Sequence, residues 1–144
     1  MADAADRLGF EALSPDYRGM DDPVERVAQL ASVCRTLERP PLLVGSSMGG
    51  HVAAAASADM QASGLFLIAP AFYMPGYEQL TPDPGSQPIR IVHGWSDEVV
   101  PVGNSIRWAR EHGVELTIIP GDHRLMGELD RVVELFEAFA SGLA

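Results

Sequence analysis

The chain has 144 residues, 47% of them hydrophobic, and a formal net charge of -10, which suits one domain with its own core and excludes nucleic acid or an anionic membrane as an expected partner, since no basic surface can replace phosphate counterions. It contains no run of about eighteen apolar residues, and the opening Met1-Ala2-Asp3-Ala4-Ala5-Asp6 is acidic with no apolar core behind it, so a cytoplasmic protein is expected. The single Cys34 has no disulfide partner and, at helical spacing with Val27, Leu30 and Leu37, reads as a small buried hydrophobe.

Taken in order, Ala2, Ala5 and Leu8 recur at helical spacing before Gly9, a C-cap residue. Phe10 to Leu13 reads as a short strand stopped by Ser14-Pro15. Asp21 or Asp22 can cap the next helix, with Pro23 at its first position and Val24, Val27, Ala28, Leu30, Ala31, Cys34 and Leu37 on its buried face, and Arg39-Pro40-Pro41 ends it. Leu42 to Val44 is a strand, followed by a glycine-rich turn and the alanine-rich helix His51 to Ala58. Gly64 to Ala69 is a buried strand. Residues 70–88 hold five prolines together with Phe72, Tyr73 and Tyr77 and predict an irregular connection. A strand over Ile89 to Val92, a helix over Val102 to Glu111 closed by Gly113, a strand over Val114 to Ile119 and an amphipathic helix over Leu125 to Phe139 complete the chain. Strands alternating with helices predict an α/β fold with a mostly parallel sheet of about five strands flanked by helices, and ligands at the carboxyl ends of the strands.

Three of those strand ends carry chemistry. Gly45-Ser46-Ser47-Met48-Gly49 lies between a strand and a helix, the context in which G-x-S-x-G means an exposed serine on a sharp turn. The glycines two residues either side of Ser47 remove the Cβ atoms that would clash there. A serine hydroxyl needs a base to take its proton and an acid to orient that base. His93-Gly94-Trp95-Ser96-Asp97 follows one strand and Gly121-Asp122-His123 the next. The order Ser47, Asp97, His123 differs from the orders found in the chymotrypsin and subtilisin folds. The Met48 N–H, at the helix start, is suited to an oxyanion.

Together with Val100-Pro101 and the segment Ser14-Pro15-Asp16-Tyr17-Arg18-Gly19, these motifs resemble the α/β-hydrolase superfamily, and more narrowly its small, capless esterase-like members, over nearly the whole chain. The resemblance implies a serine hydrolase for an ester, thioester or related activated acyl bond, with Ser47 as nucleophile, His123 as base, Asp97 as its orienting acid, Met48 as one oxyanion donor and no cofactor. The family's third strand and the loop after it, which supply the second oxyanion donor, have no counterpart, so the fold is expected to be N-terminally short. Losing one such donor costs roughly 2.7–4 kcal/mol. It also predicts unpaired backbone along Phe10 to Leu13 and along Leu42 to Val44. Three arrangements would answer this: a natural start upstream of Met1, inward movement of Phe10 to Leu13 to pair with Leu42 to Val44, or a homodimer joined through the open edges.

Competing readings apply to each residue. Ser47 could merely cap its helix, or the glycine turn could cradle phosphate in a nucleotide-binding domain, although the turn lacks a G-K-[ST] ending. Asp97 has Glu98 as competitor, while His123 has few rivals: His51 lies on the helix behind the nucleophile, His93 resembles the family's strand-end His-Gly, and His112 lies in the last turn of a helix, where cations are favoured. Tyr73 and Trp95 are candidates to line a substrate pocket or to serve as packing, and Arg124 is read as pairing with Asp122. No Cys/His cluster suggests a metal. The alternative to an enzyme is a catalytically weak, hydrolase-like binding or interaction protein with an incomplete oxyanion hole.

Overall fold

The computed structural model describes residues 1–143. Four parallel strands, β1 (Leu42–Ser46), β2 (Gly64–Ile68), β3 (Ile89–Gly94) and β4 (Glu115–Ile119), form one sheet in the order β1-β2-β3-β4. Helices α1 (Ala2–Arg7), α2 (Pro23–Cys34), α3 (Met48–Ser57), α4 (Val102–His112) and α5 (Leu129–Ser141) cover it. Side chains alternate across a strand, and β2 shows the consequence. Leu65 and Leu67 point into a core with α2, α3 and α4 that includes Leu30, Val52 and Trp108. Phe66 points the other way, into a core with α1 and α5 that includes Ala4, Val132 and Phe136. A strand buried on both faces reads as an unbroken apolar run, as Gly64 to Ile68 does.

The helix boundaries follow from local chemistry. Asp22 accepts from the Val24 N–H at 2.9 Å, with Pro23 as the first residue of α2. Gly113 closes α4 in the left-handed conformation, φ 64°. Residues 70–88 form an irregular connection holding only the 3-10 turn Glu78–Leu80. The connection is fastened to the domain by hydrogen bonds from Trp108 Nε1 to the Pro82 carbonyl and from Asn104 Nδ2 to the Phe72 carbonyl.

Two expectations are corrected. Phe10 to Leu13 forms no strand and makes no inward pairing with β1; the parallel sheet flanked by helices is as expected, with four strands, close to the expected number. The reason lies in the end of α1. The Gly9 N–H bonds the Asp6 carbonyl and the Phe10 N–H bonds the Ala5 carbonyl, with Gly9 at φ 82°; this is a Schellman closure, and it engages the Phe10 amide that a strand would need. The Phe10 side chain packs against the α1/α5 core, while Leu13 is 56% exposed ahead of Pro15. One edge of β1 consequently has no strand partner among the described residues. The last helix also starts later than its periodicity suggests. Leu125 is held at φ 52° and a 3-10 turn over Met126–Glu128 precedes α5, because Asp122 Oδ1 accepts from the Arg124 and Leu125 N–H groups and fixes a turn there.

Gly45 and Gly94 set the shape of the carboxyl end of the sheet. A Cβ on Gly45 would stand 2.7 Å from the Gly50 nitrogen and nearer still to the Gly49 carbonyl. A Cβ on Gly94 would stand 2.7 Å from the Asp122 carbonyl oxygen. The first glycine lets α3 begin directly over β1, and the second lets the loop after β3 approach the loop after β4. Since the atoms met at Gly45 are backbone, Gly45→Ala is expected to destabilise the fold by about 3 kcal/mol, read as a lower midpoint in urea unfolding. An unchanged midpoint would mean that the elbow is looser than described.

Candidate functional site

Ser47 lies between β1 and α3 with φ 53° and ψ -121°, a region that L-residues avoid unless the surroundings impose it. Backbone hydrogen bonds impose it here. The Ser47 N–H bonds the Ile68 carbonyl, and the Ser47 carbonyl accepts from the N–H groups of Gly50, His51 and Ala71. The Ser47 side chain makes no capping bond to α3, so the reading of Ser47 as a helix cap is not met. Its Oγ instead lies 3.0 Å from His123 Nε2.

His123 comes from the loop after β4, at the sheet edge opposite to β1, and β2 and β3 lie between. The ladder continues past the strand ends to bring that loop across: the Trp95 N–H bonds the Ile119 carbonyl and the Ser96 N–H bonds the Gly121 carbonyl. His123 Nδ1 is 2.7 Å from Asp97 Oδ2, and its side chain is 18% exposed, leaving the ring reachable from solvent. Asp97 has a fully buried side chain. Its Oδ1 accepts from the N–H groups of Val99, at 2.9 Å, and Val100, at 2.8 Å. Burial alone would raise its carboxyl pKa, but the bond from His123 and those from Val100 and Val99 outweigh it and hold the group below the ordinary carboxylate value. Asp97 is therefore the charged partner of His123. Glu98, its competitor in the sequence, is exposed.

The remaining candidates are placed as follows. Met48 is the first residue of α3, where helix N–H groups have no intrahelical acceptor. Trp95 is 61% exposed in the loop between β3 and Asp97. Tyr73, in the connection after β2, has its hydroxyl 2.5 Å from Glu111 Oε2 and its ring under the Arg107 guanidinium. Desolvation and that carboxylate push its pKa to about 12, so the hydroxyl is committed to α4. Asp122 accepts from backbone N–H groups, including that of Arg124, and not from the Arg124 side chain as the sequence suggested.

Ser105 escaped the sequence reading, and His93 entered it only as a strand-end histidine, without its link to Asp97. Both are fully buried. His93 Nε2 is 3.0 Å from Asp97 Oδ2 and 3.0 Å from the Val100 carbonyl, and Nδ1 is 2.8 Å from Ser105 Oγ. The available signal was the four-residue spacing of His93 and Asp97 across a strand end, together with a serine on the buried side of α4. Among the described residues no group of three His, Cys, Asp or Glu side chains could hold a metal, and no helix is long and apolar enough to cross a membrane. A surface depression of about 470 Å³ is lined by Pro84, Gln87, Ile89, His112 and Glu115, at the amino ends of β3 and β4 and thus at the opposite end of the sheet from Ser47.

Buried histidines make the fold acid-sensitive. Burial lowers the pKa of His93, against the pull of the Val100 carbonyl and Asp97, and lowers that of His51, against a hydrogen bond to the Ala71 backbone. A histidine whose folded pKa lies below its ordinary 6.5 takes up protons first in the unfolded chain. Its contribution is fully present above that pH and is lost as pH falls below it. The Asp97 carboxylate adds a second loss only below its own ordinary 3.8. Unfolding free energy is expected to be flat from pH 8 to 7 and to fall below pH 6.5 by up to roughly 1.4 kcal/mol per pH unit for each histidine. Urea titrations at pH 8, 6 and 5 measure this, and equal stability at pH 8 and 5 would contradict it.

Comparison with known proteins agrees with this geometry. The alpha/beta hydrolase family model matches residues 1–142. Among solved structures, a protein named as a hydrolase of the alpha/beta superfamily from Xanthomonas campestris pv. campestris is 30% identical, with 98% of this chain and 87% of that one covered and a TM-score of 0.89. An alpha-beta serine hydrolase homologue from Coxiella burnetii is 27% identical, with 95% and 72% covered and a TM-score of 0.78. No curated protein sequence gives a significant match. With a parallel sheet covered on both faces, a serine elbow at the carboxyl end of β1 and a family match over almost its full length, the chain belongs to the alpha/beta hydrolase family.

Proposed function

We propose that the protein is a serine hydrolase that cleaves an ester, thioester or related activated acyl bond through a Ser47-His123-Asp97 triad. The observation that carries this reading is the unbroken hydrogen-bonded series Ser47 Oγ, His123 Nε2, His123 Nδ1, Asp97 Oδ2, at 3.0 Å and 2.7 Å, with the serine on a strained strand-to-helix turn. Because Asp97 Oδ2 can only accept, His123 Nδ1 carries the hydrogen and Nε2 keeps its lone pair toward Ser47. As Ser47 Oγ attacks the acyl carbon, its proton passes to His123 Nε2, and Asp97 stabilises the imidazolium that results. The Met48 N–H donates to the oxyanion at the positive end of α3. His123 then gives the proton to the departing alcohol or thiol. A water repeats the sequence on the acyl-enzyme, releasing the acid and restoring Ser47. Trp95 offers an exposed apolar surface beside the Asp97 loop for the acyl or leaving group, and Tyr73 contributes its ring at most, since Glu111 holds its hydroxyl.

Turnover of p-nitrophenyl esters and acyl thioesters of increasing chain length tests this. Burst kinetics, with one acyl equivalent retained per chain, are the expected result. A folded chain that turns over none of the series would favour the alternative of a hydrolase-like binding protein.

A further inference from the structure

His93 has no solvent-exposed surface, yet both ring nitrogens have partners. The atoms facing Nε2, the Val100 carbonyl oxygen and Asp97 Oδ2, can only accept, so Nε2 carries the hydrogen and donates to both. In the neutral ring Nδ1 then bears the lone pair, and the buried Ser105 hydroxyl donates into it at 2.8 Å. Asp97 thereby receives four hydrogen bonds: His123 and His93 donate to Oδ2, and the Val99 and Val100 N–H groups donate to Oδ1. Val100 closes the circuit, because its N–H holds Oδ1 while its carbonyl holds the His93 ring. A buried imidazole is costly unless its polar atoms are matched, and here Nδ1 is matched by Ser105 and Nε2 by the loop that carries the proposed acid. Besides each other and His93, no ionisable side chain among the described residues hydrogen-bonds to Asp97 or His123; their loop neighbours Glu98, Asp122 and Arg124 are exposed.

We infer that His93, anchored at Nδ1 by Ser105, is a positioning residue that aims the Asp97 carboxylate at His123 and disperses its charge. This rests on the Ser47-His123-Asp97 reading. Without the His93 N–H, Asp97 Oδ2 would present more negative charge to His123 and be free to rotate about its Oδ1 anchors. The acid limb of the reaction would then move to higher pH and the chemical step would slow, while substrate binding, in which His93 takes no part, would stay the same.

Two measurements test it. In a chain labelled with 15N-histidine, long-range 1H–15N correlations at neutral pH should show His93 as the neutral Nε2–H tautomer, and a Nδ1–H tautomer overturns the inference without any variant. Next, the rate of fluorophosphonate labelling is followed against pH in the wild type, His93→Leu, His93→Gln and Ser105→Ala. His93→Leu should label about ten-fold more slowly, with the acid limb raised by about one pH unit and the probe concentration for half-saturation unchanged. His93→Gln, whose side-chain amide keeps a donor near the Nε2 position, should recover most of the rate. Equal losses in the Leu and Gln variants, with the limb unmoved, would reduce His93 to packing and overturn the inference. If His93→Leu does not fold, Ser105→Ala decides, since it removes the hydroxyl that anchors the His93 ring at Nδ1, loosens the ring's hold on Asp97 Oδ2 and should shift the limb in the same direction; an unmoved limb overturns the inference. A wild type that takes no label contradicts Ser47 as nucleophile instead, and the histidine spectra still decide whether His93 holds the carboxylate.

Discussion

Ser47→Ala is expected to lower kcat for any substrate by about 10⁶-fold while leaving unfolding free energy within about 1 kcal/mol of the wild type. The two halves of that expectation have separate causes. Oγ makes its hydrogen bond to His123 and none to the start of α3, so removing it deletes the nucleophile without uncapping a helix. The positive φ of 53° is imposed by the backbone bonds of residue 47 with Ile68, Gly50, His51 and Ala71. Alanine tolerates that conformation as poorly as serine and is held in it by the same bonds. Activity assays on the purified variant, paired with urea unfolding, measure both. A loss of activity accompanied by a large loss of stability would show that the serine is structural.

Asp97→Asn should cost about 10⁴-fold in kcat, and its mechanism is more informative. The asparagine carbonyl will take the place of Oδ1, where the Val99 and Val100 N–H groups demand an acceptor. That puts the amide NH₂ where Oδ2 stood, facing donors on both His123 and His93. His123 can accept that NH₂ only by carrying its own proton on Nε2, which then faces Ser47 Oγ as a donor and cannot take the serine proton. His93 keeps one acceptor, the Val100 carbonyl, so the fold should survive with about 1–3 kcal/mol less stability. Activity near the wild-type value would mean that His123 does not depend on Asp97 for its tautomer.

Much of the site was legible in the sequence because the chain's constraints there are local. A G-x-S-x-G match between an apolar run and an alanine-rich segment specifies the elbow around Ser47, and two further strand ends carry Asp97 and His123 within hydrogen-bonding reach. The strands β2 and β3 are apolar enough to be found without context, and Gly113 marks the end of α4 by its left-handed backbone. What could not be read depended on competition for one backbone group or on distant partners. Phe10 to Leu13 looks extended and apolar, but the Phe10 amide closes α1 and Pro15 follows closely. Leu125 fits the periodicity of α5, yet the Asp122 side chain takes its N–H and sets it at positive φ. Tyr73 looked free to line a pocket until α4 brought Glu111 and Arg107 to it. His93 and Ser105, 12 residues apart in sequence, meet only because α4 packs on β3.

The most direct test of a nucleophilic Ser47 is intact-mass analysis after treatment with a fluorophosphonate probe, run on the chain and on Ser47→Ala side by side. The account predicts one covalent adduct on the wild type, located on the peptide containing Ser47, and none on the variant. A folded wild-type chain that gains no mass, or a Ser47→Ala variant that gains as much as the wild type, would contradict it.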